Sequence, residues 1–434
     1  MAKRFHPELW VSPRPNGIGL QKPNHFGDMA KVAWQNKGNA RYAWKVLTKG
    51  VCDGCALGVA GLHDWTIDGV HLCLTRLRLL ELNCADPFDH ALLADADALS
   101  RRSSTELREL GRLAHPMRRR AGEAGFRRIS WDEALEALAA GLRAAGPDRS
   151  AMFLTSRGIT NETYYVAGKA ARAMGIANVD SAARTCHAPS TTALKATIGA
   201  AATTCSLSDV LISKLIVIWG ANPANNQPVF MKYLHLAKKN GARVVVINPY
   251  LEPGLEHYWV PSNAESALFG TKICDLHVPV RPGGDVALAD AVLKRLIERG
   301  DVDRTFIDAH TEGWDELVDH LAAVRLEDLL ADAGVNAVQL EAFVDEYVRS
   351  DASILLWSMG ITQHRHADQG VRGIVNIALA RGNVGRDGAG LMPLRGHSGV
   401  QGGAEMGAYA TALPGGLAPS ARNAADLAQK WGFE

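Results

Sequence analysis

The amino-acid sequence predicts a multidomain α/β protein with mainly parallel sheets. Two observations carry this expectation. Short apolar runs alternate with amphipathic stretches of helical length from residue 130 onward. The runs are apolar throughout and do not alternate with polar residues, as in strands buried on both faces.

The elements follow in order. Residues 1–50 carry Pro13, Pro15, Gly17, Gly19 and Pro23 among polar residues and read as an extended, largely irregular arm. The basic stretch 101–120 reads as a solvated connection with helical pieces. Ser130-Trp-Asp-Glu133 matches the S-x-x-E capping box, in which hydroxyl and carboxylate each satisfy a free backbone N–H, so a helix is expected from there to Ala145. Strands are expected over 151–155, 215–219, 243–248 and 353–357. Helices are expected over 161–174, 228–240, 285–299, 336–350 and 366–381. No repeat at a solenoid period is present.

Composition narrows the function classes. A length of 434 residues allows about two to four domains. The formal charge of +1 removes the electrostatic ground for a nucleic acid or an acidic membrane as partner. The 42 glycines are dispersed among apolar runs, which suits tight turns against ligands. Seven cysteines, an odd number at irregular spacing, argue against a disulfide framework and for a reducing compartment. MAKRFHPELW has neither a signal-peptide core nor a twin-arginine pair, and no window of about 18 apolar residues predicts a membrane span. A cytoplasmic protein is expected.

The first chemistry-bearing group is GVCDGCALG. Two thiolates on a C-x₂-C turn can face one metal centre, and Gly54 relaxes the backbone between Cys52 and Cys55. A zinc ribbon needs a second C-x₂-C, and a thioredoxin-like pair needs a strand–helix junction; neither is present. An iron–sulfur cluster held by Cys52, Cys55 and Cys73 is the leading reading, with unpaired cysteines in a loop as the plainer alternative. The fourth ligand is open among Cys84, His63 and Asp64, with Cys84 placed first because a thiolate suits iron best. The second group is the adjacent pair Cys186-His187 in a run of small residues, which leaves room for a large ligand. Buried structural residues are the plainer alternative.

The segment R-x-C-H-x-P-S over 184–190, after D-S-A-A, resembles the metal-ligand loop of formate dehydrogenase alpha subunits, a branch of the molybdopterin-dependent oxidoreductases. The resemblance continues in family order through WGANPANNQPV at 219–229, RVVVINP at 243–249, WSMGITQH at 357–364, ARGNVGRDGAG at 380–390 and LRGHSGVQGG at 394–403. It covers about residues 40–410 and is strongest with the bacterial FdhF/YdeP-like subfamily. It implies an N-terminal iron–sulfur lobe over 1–105 and two nucleotide-binding-like α/β domains. One spans 106–180, completed by 398–434; the other spans 181–397 and binds the pterin dinucleotide.

It also implies a bis(molybdopterin guanine dinucleotide) with molybdenum or tungsten, and a 4Fe-4S cluster. Cys186 would be the metal's protein ligand, His187 a proton-handling group and Arg395 the cation for a small anionic substrate, formate being the best single guess. Arg157, Gly158, Asn222, Asn248, Gln363 and Arg395 stand at positions resembling dinucleotide contacts, expected to converge on one crevice. Electrons would leave through the cluster to a partner protein or soluble acceptor.

This sequence departs from the family at Val59, where a cysteine is usual; after Cys73, where a Lys two places on is usual and Arg76 stands as the nearby cation; and at His397, where Gln is usual. Related subunits are longer, with a further C-terminal domain, so a fragment is expected. Two other classes stay open: a non-catalytic remnant that binds the cofactors, and a zinc-stabilised hydrolase using Cys186 as nucleophile.

Overall fold

The computed structural model describes residues 25–50, 52, 54–57, 61–63 and 66–433. Helices α1 (His25–Gln35), α2 (Ala40–Lys49) and α3 (Leu74–Asn83) form the N-terminal part, with α1 packed on α3. The irregular arm expected over 1–50 is therefore corrected for 25–49; residues 1–24 lie outside the described residues. All the punctuating prolines precede His25, and beyond them Val32 and Ala43 supply buried anchors.

Helix α4 (Trp131–Ala145) begins where expected, and the Ser130 hydroxyl accepts the Glu133 N–H at 3.0 Å. The reciprocal half of the box is replaced: Glu133 turns its carboxylate to Arg118 and Arg127. Strands β1 (Ala151–Leu154) and β2 (Asn178–Ser181) pair in parallel, joined by α5 (Asn161–Ala173). Phe153 on β1 and Trp131, Leu135 and Leu138 on α4 stay exposed, so this small sheet is not covered as a parallel sheet usually is.

The main sheet is parallel and five-stranded. It is built from β3 (Leu215–Trp219), β4 (Arg243–Ile247), β5 (Leu276–Val278), β6 (Ser353–Trp357) and β7 (Gly390–Pro393), in spatial order β7-β6-β3-β4-β5. Alternate residues face opposite sides. Leu215, Val217, Trp219, Leu355 and Trp357 enter a core with helices Ala188–Thr197, Asp285–Arg299, Ala337–Arg349 and Ala367–Ala380. Ile216, Ile218, Val244, Val246 and Leu356 enter a second core under helix Phe230–Lys239. Both faces are covered, as the uninterrupted apolar runs require.

The chain winds outward from β3 through β4 to β5, then returns to β6 on the other side of β3. The switch therefore lies between β3 and β6, and a crevice opens beyond their carboxyl ends. Two glycines bring these ends together. Gly360 N–H donates to Gly220 O at 2.8 Å, and Gly220 holds φ +59°. A Cβ on Gly220 would stand 2.8 Å from Ile361 N, and one on Gly360 would stand 2.5 Å from Gly220 O. Gly220→Ala is accordingly expected to lower unfolding free energy by about 1–3 kcal/mol, from positive-φ strain and backbone overlap. Urea denaturation measures it, and a change below about 0.5 kcal/mol would contradict the close approach.

Candidate active site

Three adjoining sites line the carboxyl edge of the main sheet. The first is the switch-point pocket, a cavity of about 400 Å³ lined by Asn222, Asn248, Glu252, Asp285 and His364 among others. Asn222 caps the turn Pro223–Asn226, its side chain accepting the Asn225 N–H. Asn248 is buried and donates to Ala221 O at 3.0 Å and to Glu252 Oε2 at 3.2 Å, so it ties the exits of β3 and β4 together. Asp285 accepts the Trp219 indole N–H at 2.8 Å. Burial pushes the Asp285 and Glu252 carboxyls up. The pocket thus offers one buried and one half-buried carboxyl acceptor near strand ends, which suits the N–H and hydroxyl donors of a nucleotide.

The second site surrounds Cys186, which is buried at the end of the one-turn helix Ala183–Cys186. Its thiol is pushed up by burial, opposed by the Gly396 N–H that donates to the sulfur and by the Arg395 guanidinium. Thr362 donates to Cys186 O, and Gln363 Nε2 donates to Thr185 O at 2.9 Å, so the residues after β6 hold the cysteine's peptides. Arg395 is largely buried, which pulls its pKa down. The Cys186 thiol, Tyr409 and Glu405 lie within its electrostatic reach. Its carbonyl accepts from Gln227 Nε2 at 2.9 Å.

His187 is fully buried and bonded at both ring nitrogens. Nε2 lies 3.1 Å from Leu394 O, an atom that can only accept, so Nε2 carries the proton. Nδ1 then accepts the Ser190 hydroxyl at 3.0 Å, and Ser190 Oγ in turn accepts the Trp357 indole N–H at 2.9 Å. Burial, and then Arg395, hold His187 down at about 3.

The third site gathers three of the N-terminal cysteines. Cys52, Cys55 and Cys73 line one cavity of about 140 Å³ with His71, Arg76, Arg157 and His397. Gly54 N–H donates to Cys52 Sγ at 3.4 Å. Leu57 N–H addresses Cys55, and the Thr75 and Arg76 N–H groups address Cys73. Burial pushes Cys55 up to about 12 and Cys73 upward, and the other thiols in the cavity add to both. Among the described residues no three His, Cys, Asp or Glu side chains converge on a single metal ion. The thiols instead surround a cavity.

Cys84, placed first as fourth ligand, is corrected. It follows the far end of α3 and does not line this cavity, and the helix separates it from Cys73 by about 15 Å at 1.5 Å per residue. His63 is exposed and also lies off the cavity. Asp64 and Val59 lie outside the described residues. Arg76 lines the cavity, but its guanidinium donates to Val46 O, Gly50 O and Gly61 O, so it clamps backbone.

The predicted contacts therefore do not share one pocket. Asn222 and Asn248 line the switch-point pocket. Arg157 lines the cysteine cavity, followed by Gly158 at φ +72°, and Gln363 and Arg395 flank Cys186. The sites abut: Asn226 lines both cavities, and Ala56 N–H donates to Gly396 O at 3.2 Å. Sequence reasoning did not single out Ser190, Trp357, Asp285 or Gly396. Only Ser190, three residues after His187 in a helical stretch, carried a readable signal.

Because folded His187 resists protonation between its ordinary 6.5 and about 3, the unfolded chain takes up a proton there that the folded one refuses. Stability is thus fully present above pH 6.5 and falls as pH drops toward 3, by at most about 1.4 kcal/mol per pH unit. His187→Gln, which can still donate to Leu394 O, is expected to flatten that slope by about one proton in urea titrations across the window. An unchanged slope would count against the buried neutral ring.

The family model for molybdopterin oxidoreductase matches residues 112–430. Protein YdeP of Escherichia coli (strain K12) is 34% identical over 340 residues, 76% of this chain and 44% of that protein. Formate dehydrogenase H of the same organism is 33% identical over 332 residues, 74% of this chain and 44% of that protein. Among solved structures, acetylene hydratase from Pelobacter acetylenicus shares the fold with a TM-score of 0.51 at 19% identity, over 65% of this chain and 37% of that one. The chain spans less than half the length of these curated relatives.

Proposed function

The chain belongs to the molybdopterin oxidoreductase family, and from that premise we propose that it forms the cofactor-binding part of a formate dehydrogenase-like enzyme acting on a small anion. The observation that carries the reading is the buried Cys186 thiol, with the Gly396 N–H on its sulfur and the Arg395 guanidinium within electrostatic reach.

The donor set suits a bis(molybdopterin guanine dinucleotide) with molybdenum or tungsten. Cys186 would be the metal's protein ligand, a soft donor whose burial keeps it protonated until a cationic centre takes the proton's place. The switch-point pocket, with Asn222, Asn248 and Asp285, would hold one nucleotide end. When bound, the centre supplies the two-electron chemistry. Oxidation of formate to carbon dioxide releases one proton and two electrons, and the electrons would leave through a 4Fe-4S cluster at Cys52, Cys55 and Cys73 to a partner protein or soluble acceptor. The N–H groups aimed at those sulfurs, and the burial of Cys55 and Cys73, fit a cluster that stabilises thiolate charge.

The chain's own residues do the remaining work. Arg395 is desolvated and within electrostatic reach of the Cys186 sulfur; one guanidinium nitrogen donates to Ala201 O at 3.4 Å, and its remaining N–H groups can hold a carboxylate with charge-assisted bonds. His187 orients the Leu394–Gly396 turn through Leu394 O. It can handle a proton only after the Ser190 hydroxyl turns away from Nδ1.

With the cofactor bound, Arg395→Ala is expected to keep molybdenum and iron content while kcat/KM for formate falls by about thirty- to a thousand-fold, or about 2–4 kcal/mol. Cys186→Ala is expected to change the metal's own electron paramagnetic resonance. If Cys186→Ala leaves both the spectrum and turnover intact, the catalytic reading fails. Bound metal without turnover of any small anion would identify a non-catalytic binding remnant.

A further inference from the structure

Among the described residues, the cysteine cavity has three thiols on its wall and one imidazole nitrogen without a hydrogen-bond partner. His397 lines the cavity beside Cys52, Cys55 and Cys73, and its Nδ1 is buried with no hydrogen-bond partner among the described residues. A buried ring nitrogen left unpaired costs about 1–3 kcal/mol, so the conformation is poorly explained by the protein alone. The ring is also held in place by its neighbour: Gly396 O accepts the N–H of Ala56, the residue after Cys55, so the turn carrying His397 is bound to the loop carrying a thiol.

The other imidazole and thiol groups among the described residues are accounted for. His71 lines the same cavity, but its Nε2 is engaged with Val229 O at 3.1 Å. Cys84, Cys205, Cys274 and His63 do not line it.

We propose that His397 is the fourth protein ligand of the iron–sulfur cluster, binding through Nδ1 in a three-cysteine, one-histidine set. The proposal rests on the cluster reading above. A neutral imidazole in place of a thiolate leaves the cluster one unit less negative and moves its reduction potential upward. It also explains how a chain without a cysteine at Val59 completes a four-ligand site: the ligand comes from the turn beyond β7, far along the sequence.

The test uses the full chain, reconstituted anaerobically with iron and sulfide and then reduced. Wild type is expected to hold about four irons per chain and to show a strongly coupled ¹⁴N in pulsed electron paramagnetic resonance, replaced by a ¹⁵N signal on histidine labelling. His397→Cys is expected to keep the iron, lose the nitrogen coupling and shift to lower potential. His397→Ala is expected to lose an iron readily while circular dichroism stays native. Iron at full stoichiometry with no coupled histidine nitrogen in wild type, or an unchanged spectrum in His397→Cys, overturns the assignment and leaves the cluster reading standing; Asp64 is then the ligand to test. Wild type that binds no iron overturns the cluster reading, and this assignment with it.

Discussion

The turn leaving β7, from Leu394 to Gly399, fixes the relation of everything around it. Leu394 N–H donates to Trp357 O at 2.8 Å, and Leu394 O accepts from both His187 and Ser358. Arg395 O accepts from Gln227, Gly396 N–H reaches the Cys186 sulfur, Gly396 O accepts from Ala56, and Gly399 N–H donates to Ser156 O. Five segments distant in sequence are tied to this one turn of six residues. Each bond contributes only about 1 kcal/mol net, but leaving one such buried group unpaired costs about 1–3. The turn therefore has few alternative conformations. Arg395 and His397 project from it toward different sites because the backbone between them is held at both N–H and C=O.

Charge explains why the sites fit metal centres better than acid–base catalysis with free thiols. Cys186 feels burial upward and Arg395 downward, and burial wins. Cys55 sits at about 12 although the Leu57 N–H and Arg157 favour its thiolate, because desolvation outweighs them and neighbouring thiols add repulsion. A nucleophile needs the opposite balance, with a thiolate populated near neutral pH. The adjacent His187 cannot serve as its base, since Nε2 holds a proton for Leu394 O and Nδ1 already accepts. A hydrolase built on Cys186 is therefore disfavoured. A soft cation would remove the desolvation penalty and leave the N–H bonds to stabilise the thiolate charge.

How much of this the sequence revealed follows from the range of each interaction. Buried strands such as Ser353–Trp357 and helices such as Asp285–Arg299 were readable because hydrophobic period and capping are local. Gly390–Pro393 was not, because Gly and Pro are turn residues by local chemistry, and only its edge position beside Ser353–Trp357 makes it a strand. Asn178–Ser181 was missed because three of its four residues are polar; its partner Ala151–Leu154 supplies the order. Cys52, Cys55 and Cys73 were expected to come together and do line one cavity, but choosing Cys84 ignored the helix between it and Cys73. Ten residues of helix push apart two side chains that a loop of the same length could bring together.

The two tryptophans at the strand ends show why such sites elude local reading. Trp219 and Trp357 are directly paired in register, fully buried, and lie on the same face of the sheet. Each spends its single N–H on a polar partner, Trp219 on Asp285 in the switch-point pocket and Trp357 on Ser190 behind His187. An indole needs that partner when buried, so the packing core and the polar sites constrain each other. Shortening either side chain would open a cavity and release a site residue together. The strand that carries the core also carries the orientation of the site, and no window of sequence around Trp219 or Trp357 contains the residue that each one holds.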